Sequence, residues 1–281
     1  MRGIILSFFR VFCVILFSFF LFLRDNLLMF WLFLELGALS LIPSFFLYIK
    51  TKALSRLFSY IVVSGISSSL IISGILFEGY SILLMLGFLM KFGVFPFFGW
   101  VYSVFLGSKW LVIWALSRVL KVSFMFFPFF LRAGLRVSQV MLAFCMLKFV
   151  LVSFFFWLFT FSWVYYWCHV VISSSSAFLA MSVEGSGDLL LYLFVYYVFW
   201  VTCVVGLLSY YEGGFCFNSV FLAVFFLVSF PGSISLFYKL LVRAYIFSCG
   251  FLVFLSWVIY KISEQLFLVK NLVSIRMPRG E

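Results

Sequence analysis

The chain has 281 residues, 67% of them hydrophobic and 10% charged, with a formal net charge of +11. A soluble domain carries about 45–50% apolar and about 25% charged residues, so no water-soluble fold hides this much apolar surface. In hydrocarbon every backbone N–H and C=O must be satisfied within the chain, which leaves helices or closed barrels. A barrel alternates polar and apolar positions over segments of about ten residues, whereas these apolar runs are unbroken. The expected fold class is therefore all-α, a polytopic membrane protein with about ten transmembrane helices.

Polar punctuation predicts spans over roughly 4–23, 27–49, 57–77, 80–100, 107–131, 137–160, 161–183, 188–208, 215–242 and 243–262, each near the ~20 residues a bilayer crossing needs. Together they form one transmembrane domain, 1–262, followed by a polar C-terminal tail, 263–281. The first segment, MRGIILSFFRVFCVILFSFF, begins like a secretory signal, with Arg2 before an apolar run. Arg10 interrupts that run, and no small-x-small cleavage site precedes Arg24, so the segment is read as a span.

Charges within the spans carry the functional signal, because an ionisable group at mid-membrane costs about 2.5–3.5 kcal/mol on insertion scales. Glu35, in FWLFLELGALSLIP, is near the centre of its span and too short to reach the interface. Lys91, in MKFGVFPFFGWV, precedes Gly93 and Pro96. A proline inside a helix removes a backbone hydrogen bond and kinks it. Arg118 and Lys121 stand three residues apart and so share a helix face. Lysine gives up its proton when desolvated and arginine effectively never does, so Lys121 is the candidate carrier and Arg118 its electrostatic neighbour. Lys148 is mid-span, with a role in the relay or in a subunit contact. His169, the single histidine, is either a proton shuttle or a hydrogen-bonded interior side chain. Ser67–Ser69 and Ser173–Ser176 suit close helix packing. In SFPGSISLFYK, Pro231 and Gly232 predict a broken helix ahead of Lys239, and broken helices at membrane depth line ion or substrate paths. Glu78, Glu184, Asp188 and Glu212 fall in expected loops and are read as solvated.

The remaining cations mark topology. With ten spans both termini share a side, which collects Arg2, Lys50, Lys52, Arg56, Lys109, Lys261, Lys270, Arg276 and Arg279. Arg24, Arg132, Arg136 and Arg243 fall opposite. By the positive-inside rule both termini face the compartment of synthesis. The basic balance therefore does not point to nucleic acid. The cysteines Cys13, Cys145, Cys168, Cys203, Cys216 and Cys249 lack paired spacing, which argues against a metal site or disulfide framework. One histidine is too few for a haem bundle, which commonly takes two. No dinucleotide, phosphate-loop or nucleophile motif is present. Phe numbers 45, against Pro 5, Thr 3, Gln 2 and His 1. Codons of the scarce residues begin with A and C, and those of Phe, Gly, Val, Trp and Cys with T and G. That bias matches a strand-biased organelle genome.

One carboxylate and several lysines on separate spans are an inventory for moving protons, since a neighbouring carboxylate decides whether a buried lysine holds or releases its proton. The motifs around them resemble the NADH dehydrogenase subunit 2 family, antiporter-like membrane subunits of respiratory complex I. Glu35 and Pro43 match its glutamate followed eight residues later by proline. Lys91, Gly93, Pro96, Phe97 and Trp100 match its lysine-(Leu/Phe)-Gly-x-x-Pro-Phe motif. Lys121 lies thirty residues beyond Lys91, at the family's central lysine, and Pro231 and Lys239 match the later break. The resemblance covers about residues 27 to 260. Phe98 stands for the family's histidine after Pro-Phe, Tyr102-Ser103 for its Pro-Glu, and Ala177 for a histidine near the serine run.

The resemblance implies an antiporter-like fold with discontinuous helices, broken at Pro96, Pro231 and Gly232. It implies a non-redox, proton-translocating subunit of NADH:ubiquinone reductase in the mitochondrial inner membrane, with both termini on the matrix side. In it Glu35 tunes Lys91, Lys121 receives the proton and Lys239 passes it on. The chain would bind no cofactor or metal, with NADH, FMN, Fe–S clusters and ubiquinone in other subunits. Its partners would be other membrane-arm subunits and lipid. The alternatives are a cation/proton antiporter subunit and a purely structural membrane scaffold.

Overall fold

The computed structural model describes residues 12–13, 16–17, 20, 27–45, 51–77, 81–122, 135–184, 187–212 and 225–276. Among them there are helices and no strand. The bounded helices are α1 Leu27–Phe45, α2 Thr51–Leu76, α3 Ser81–Lys91, α4 Gly99–Phe105, α5 Trp110–Val122, α6 Leu135–Leu158, α7 Trp163–Glu184, α8 Gly187–Glu212, α9 Ile234–Ser248 and α10 Phe251–Arg276. Parts of six, α1, α2, α6, α7, α8 and α10, are long and apolar enough to cross a membrane. The all-helical, multi-pass class is as expected. The split between the sixth and seventh expected spans also falls where the structure parts α6 from α7.

Span boundaries differ from expectation wherever backbone geometry overrides apolar content. The run 80–100, expected to break at Pro96, is interrupted over a longer stretch: α3 stops at Lys91 and α4 begins at Gly99. The boundary placed between 242 and 243 falls inside α9, and the chain turns instead at Gly250, with φ of 115°. Helix α10 continues through 263–276, the larger part of the expected polar tail. Trp257, Tyr260, Glu264 and Leu268 are buried along it at the 3–4 residue spacing of one helix face. The expected span 4–23 is described only at the five residues named above. Arg2, Arg24, Lys50, Glu78, Arg132, Cys216, Arg279 and the tail beyond 276 lie outside the described residues, as do the side chains of Lys52, Arg136, Glu184, Asp188, Glu212 and Arg276.

The chain forms two compact units, Met1–Ser138 and Gln139–Glu281. In the first, α2 lies against α1, α3 and α4, and α1 against α5. Glycines bring α2 and α3 together. A β-carbon on Gly74 would meet the Leu84 backbone nitrogen at 2.6 Å, and one on Gly87 the Ser67 carbonyl oxygen at 2.9 Å. Membrane helices gain nothing from hiding apolar surface from lipid, so such close approach is a main source of their association.

In the second unit α7 is almost wholly buried and packs against α8 and α9, while α9 also meets α10. The serine run on α7 suits that position. Ser173 Oγ donates to the Val170 carbonyl at 2.9 Å and Ser175 Oγ to Val171 at 2.8 Å. The hydroxyls are thus satisfied within the helix, which leaves small side chains at the contacts.

Candidate functional site

The first unit brings Glu35 and Lys91 together. Lys91 Nζ donates a hydrogen bond to Glu35 Oε1, and the two side chains are 8% and 19% exposed, respectively. Lys91 is the last residue of α3, and the turn after it explains why. Val94 N–H donates to the Leu89 carbonyl at 2.9 Å, and Gly93 N–H to the Met90 carbonyl at 3.2 Å. With Gly93 at φ of 59°, this is the Schellman pattern that ends helices. The Trp100 indole also donates to the Met90 carbonyl, at 3.0 Å. Lys91 thus sits at the negative end of a helix dipole, which favours a cation, and faces a carboxylate from α1. The chain leaves Gly93 through a cis Phe95–Pro96 bond.

Polar atoms continue beside the pair. The Tyr60 hydroxyl on α2 donates to the Ala38 carbonyl of α1 at 3.2 Å. A cavity of about 20 Å³ is bordered by Tyr60, Ser64, Ser67, Lys91 and Trp100, enough for about one water. Farther along the unit Lys121 is fully buried on α5. The Arg118 guanidinium, one turn earlier, stacks over the Trp114 ring at 3.7 Å. The two cations expected on one face therefore have different surroundings, one an aromatic surface and the other the interior.

The second unit holds Lys148, His169 and Lys239, all buried. Lys148 lies on α6 one turn beyond the buried Cys145. His169, on α7, packs its ring against Phe156, centroid to centroid at 4.9 Å, and against Phe155 at 6.4 Å. Lys239 is set by the break that precedes α9. Pro231 and Gly232 occupy the centre of a tight turn closed by Ser233 N–H to the Phe230 carbonyl at 2.9 Å. Gly232, at φ of 84°, takes the conformation a type II turn reserves for glycine. Ser233 then caps α9, its hydroxyl accepting from Leu236 N–H at 3.1 Å. Lys239 Nζ turns back toward the break, donating to Ser229 Oγ at 2.8 Å and the Leu227 carbonyl at 3.5 Å.

Sequence reasoning missed the anion of this region. Glu264 on α10, placed in the expected tail, is fully buried and within 3.4 Å of Lys239 Nζ. Its other oxygen accepts from Lys261 at 2.6 Å. Lys261, read as a topology marker, is inside this cluster. The spacing of Tyr260, Lys261 and Glu264 on one helical turn was the available signal, and it was masked by the polar run Ser263-Glu264-Gln265.

Two solved structures share the fold. A chain of respiratory complex I from Thermus thermophilus, with bound aureothin, matches with a TM-score of 0.78 at 17% identity, over 98% of this chain and 72% of that one. A chain of the membrane-bound sulfane sulfur reductase, an archaeal respiratory membrane complex, matches with a TM-score of 0.68 at 11% identity, over 88% of this chain and 61% of that one. No protein-family model matches the sequence, and no curated protein does. The likeness is one of fold: a multi-pass helical membrane chain of a kind found in respiratory membrane complexes.

Proposed function

We propose that the chain is a proton-translocating, non-redox membrane subunit of a complex I-type respiratory assembly, of the NADH dehydrogenase subunit 2 kind, in the mitochondrial inner membrane. The observation that carries this reading is the pairing of buried Lys91 with half-buried Glu35 at the end of an interrupted helix. A salt bridge in the membrane interior is weak as a source of stability, because desolvation offsets the attraction. A role in charge movement accounts for it.

In this mechanism Glu35 holds Lys91 protonated while the two are in contact. Drawing the carboxylate away leaves a cation in a low-dielectric interior, and lysine answers by releasing its proton. Lys121 receives it, while Arg118 keeps its charge and sets the local potential. Lys239 hands the proton toward the exit side. NADH oxidation and quinone reduction take place in other subunits, which also supply the conformational drive. Lys148 and His169 are neighbours of this route. The partners are other membrane-arm subunits and lipid, with both termini on the matrix side.

The test is to resolve native inner-membrane complexes on a gel, stain for NADH dehydrogenase activity, and look by mass spectrometry for the peptide Asn271–Arg276. It is expected in the active band of high mass. Its presence only in a small, inactive band would overturn the assignment and favour an antiporter or scaffold.

A further inference from the structure

The second unit holds a cluster of three charges rather than a pair. Glu264, 0% exposed, has a cation on each oxygen: Lys239 of α9 at 3.4 Å on Oε1 and Lys261 of α10 at 2.6 Å on Oε2. Lys239 also donates hydrogen bonds to Ser229 and to the Leu227 carbonyl, so the ammonium is held by two acceptors and by its ion pair with Glu264. Tyrosines from three elements are buried around the cluster: Tyr260 of α10, Tyr166 of α7 and Tyr238 of α9. A cavity of about 10 Å³ is bordered by Ser173, Ser174, Tyr238, Tyr260 and Lys261, close to the room one water needs.

Counting charge separates the two lysines of this cluster. With all three groups ionised it carries one net positive charge. If Lys239 gives up its proton, a neutral Lys261–Glu264 pair remains. Those two residues are three apart on one helix, so they stay in contact whatever α9 does. Without Lys261, the same step would strand an uncompensated carboxylate in the interior, the state low-dielectric surroundings penalise most. In the Glu35–Lys91 contact no second cation is seen on the carboxylate among the ion pairs of the described residues.

We propose that Glu264 and Lys261 are positioning residues that make Lys239 the proton-releasing station of the relay. Glu264 receives the charged Lys239. In the releasing step an Nζ–H bond of Lys239 breaks, its proton passes to a water, and the electron pair stays on nitrogen as a neutral amine. Lys261 keeps Glu264 compensated, and neither changes charge. The inference rests on the proton-relay reading above.

The experiment compares Lys261→Met and Lys261→Arg in the intact complex, with Lys91→Ala alongside. Turnover per assembled complex, protons pumped per NADH, quinone KM and the solvent deuterium isotope effect are measured. Lys261→Met is expected to lower turnover by about tenfold or more, because it leaves a buried carboxylate uncompensated when Lys239 releases its proton. Quinone KM should hold and the deuterium effect should rise. Lys261→Arg, which restores a cation, is expected to recover most of the rate. Wild-type turnover and pumping in assembled Lys261→Met would overturn the proposal. If Lys261→Met does not assemble, Lys261→Gln is read in its place; if neither assembles while Lys261→Arg does, the charge serves folding and the proposal fails. Should Lys91→Ala pump normally, the relay reading falls and this inference with it. Should Lys91→Ala stop pumping while Lys261→Met does not, this inference alone falls.

Discussion

Gly93 packs against Val101 with no room for a side chain, since a β-carbon there would overlap the Val101 Cγ2 methyl. The two residues set how the chain returns from the end of α3 into α4, and with it where Lys91 points. Any substitution also strains the backbone at φ of 59°, by roughly 1–2 kcal/mol for an L-residue in the left-handed region. Gly93→Ala is therefore expected to combine strain and overlap and to cost more than about 2 kcal/mol. The yield of assembled complex and its thermal inactivation temperature would show this. An unchanged inactivation temperature would mean that α4 moves freely and that the turn does not fix Lys91.

Gly232 supplies the contrast. Its φ of 84° is as unusual, but nothing lies within 4 Å of a β-carbon there. Gly232→Asn is expected to be mild, within about 1 kcal/mol, because asparagine visits the left-handed region. Gly93→Asn is expected to fail. Equal behaviour of the two asparagine variants in a thermal inactivation series would show that space at Gly93 is not what matters.

How far the sequence led depended on whether polarity and apolar content gave the same answer. Glu35 and Lys91 were legible because each interrupts an apolar run, and the Gly-x-x-Pro spacing after Lys91 has a geometric meaning that the Schellman turn supplies. The break before Lys239 was legible for the same reason. The end of α10 was not. Lys261, Glu264, Gln265 and Lys270 lower its hydropathy until it looks like a solvated tail, yet Phe267 and Leu268 keep the buried face of the helix going. Hydropathy averages over faces, so a helix with one buried polar face reads as loop. The extent of the interruption in 80–100, which begins at Lys91 and not at Pro96 alone, was hidden in the opposite way, because the residues of the break are themselves apolar.

Removing one member of a buried ion pair strands the other, at a cost of about 3–5 kcal/mol if it stays charged. Lysine escapes by losing its proton. Glu35→Gln is therefore expected to assemble but to turn over slowly, its Lys91 no longer held in the loaded state. Lys91→Ala is expected to abolish proton pumping. A Lys91→Met/Glu35→Gln double variant, which leaves no charge at the pair, is expected to assemble better than the sum of the single effects allows, with a coupling of about 1–3 kcal/mol. Strict additivity of assembly yield and thermal stability across the cycle would refute direct coupling of the two side chains.

The backbone ahead of α9 is unwound over residues 228–233. Where a helix breaks, its N–H groups lose their helical acceptors, and lipid offers none. Ser229 N–H finds one in Gln265 Oε1 at 3.1 Å, a side chain of α10 adjacent to Glu264. Gln265→Leu keeps the apolar bulk but removes the acceptor, leaving a donor unmet at about 1–3 kcal/mol. The segment carrying Ser229, which accepts from Lys239, should then loosen while the ion pairs of Glu264 persist. Limited proteolysis of the detergent-solubilised complex is expected to cut faster near residues 228–233 in Gln265→Leu, and Gln265→Glu, which retains an oxygen acceptor, is expected to slow that cut again. Identical digestion of wild type and Gln265→Leu would show that the break holds its shape without α10.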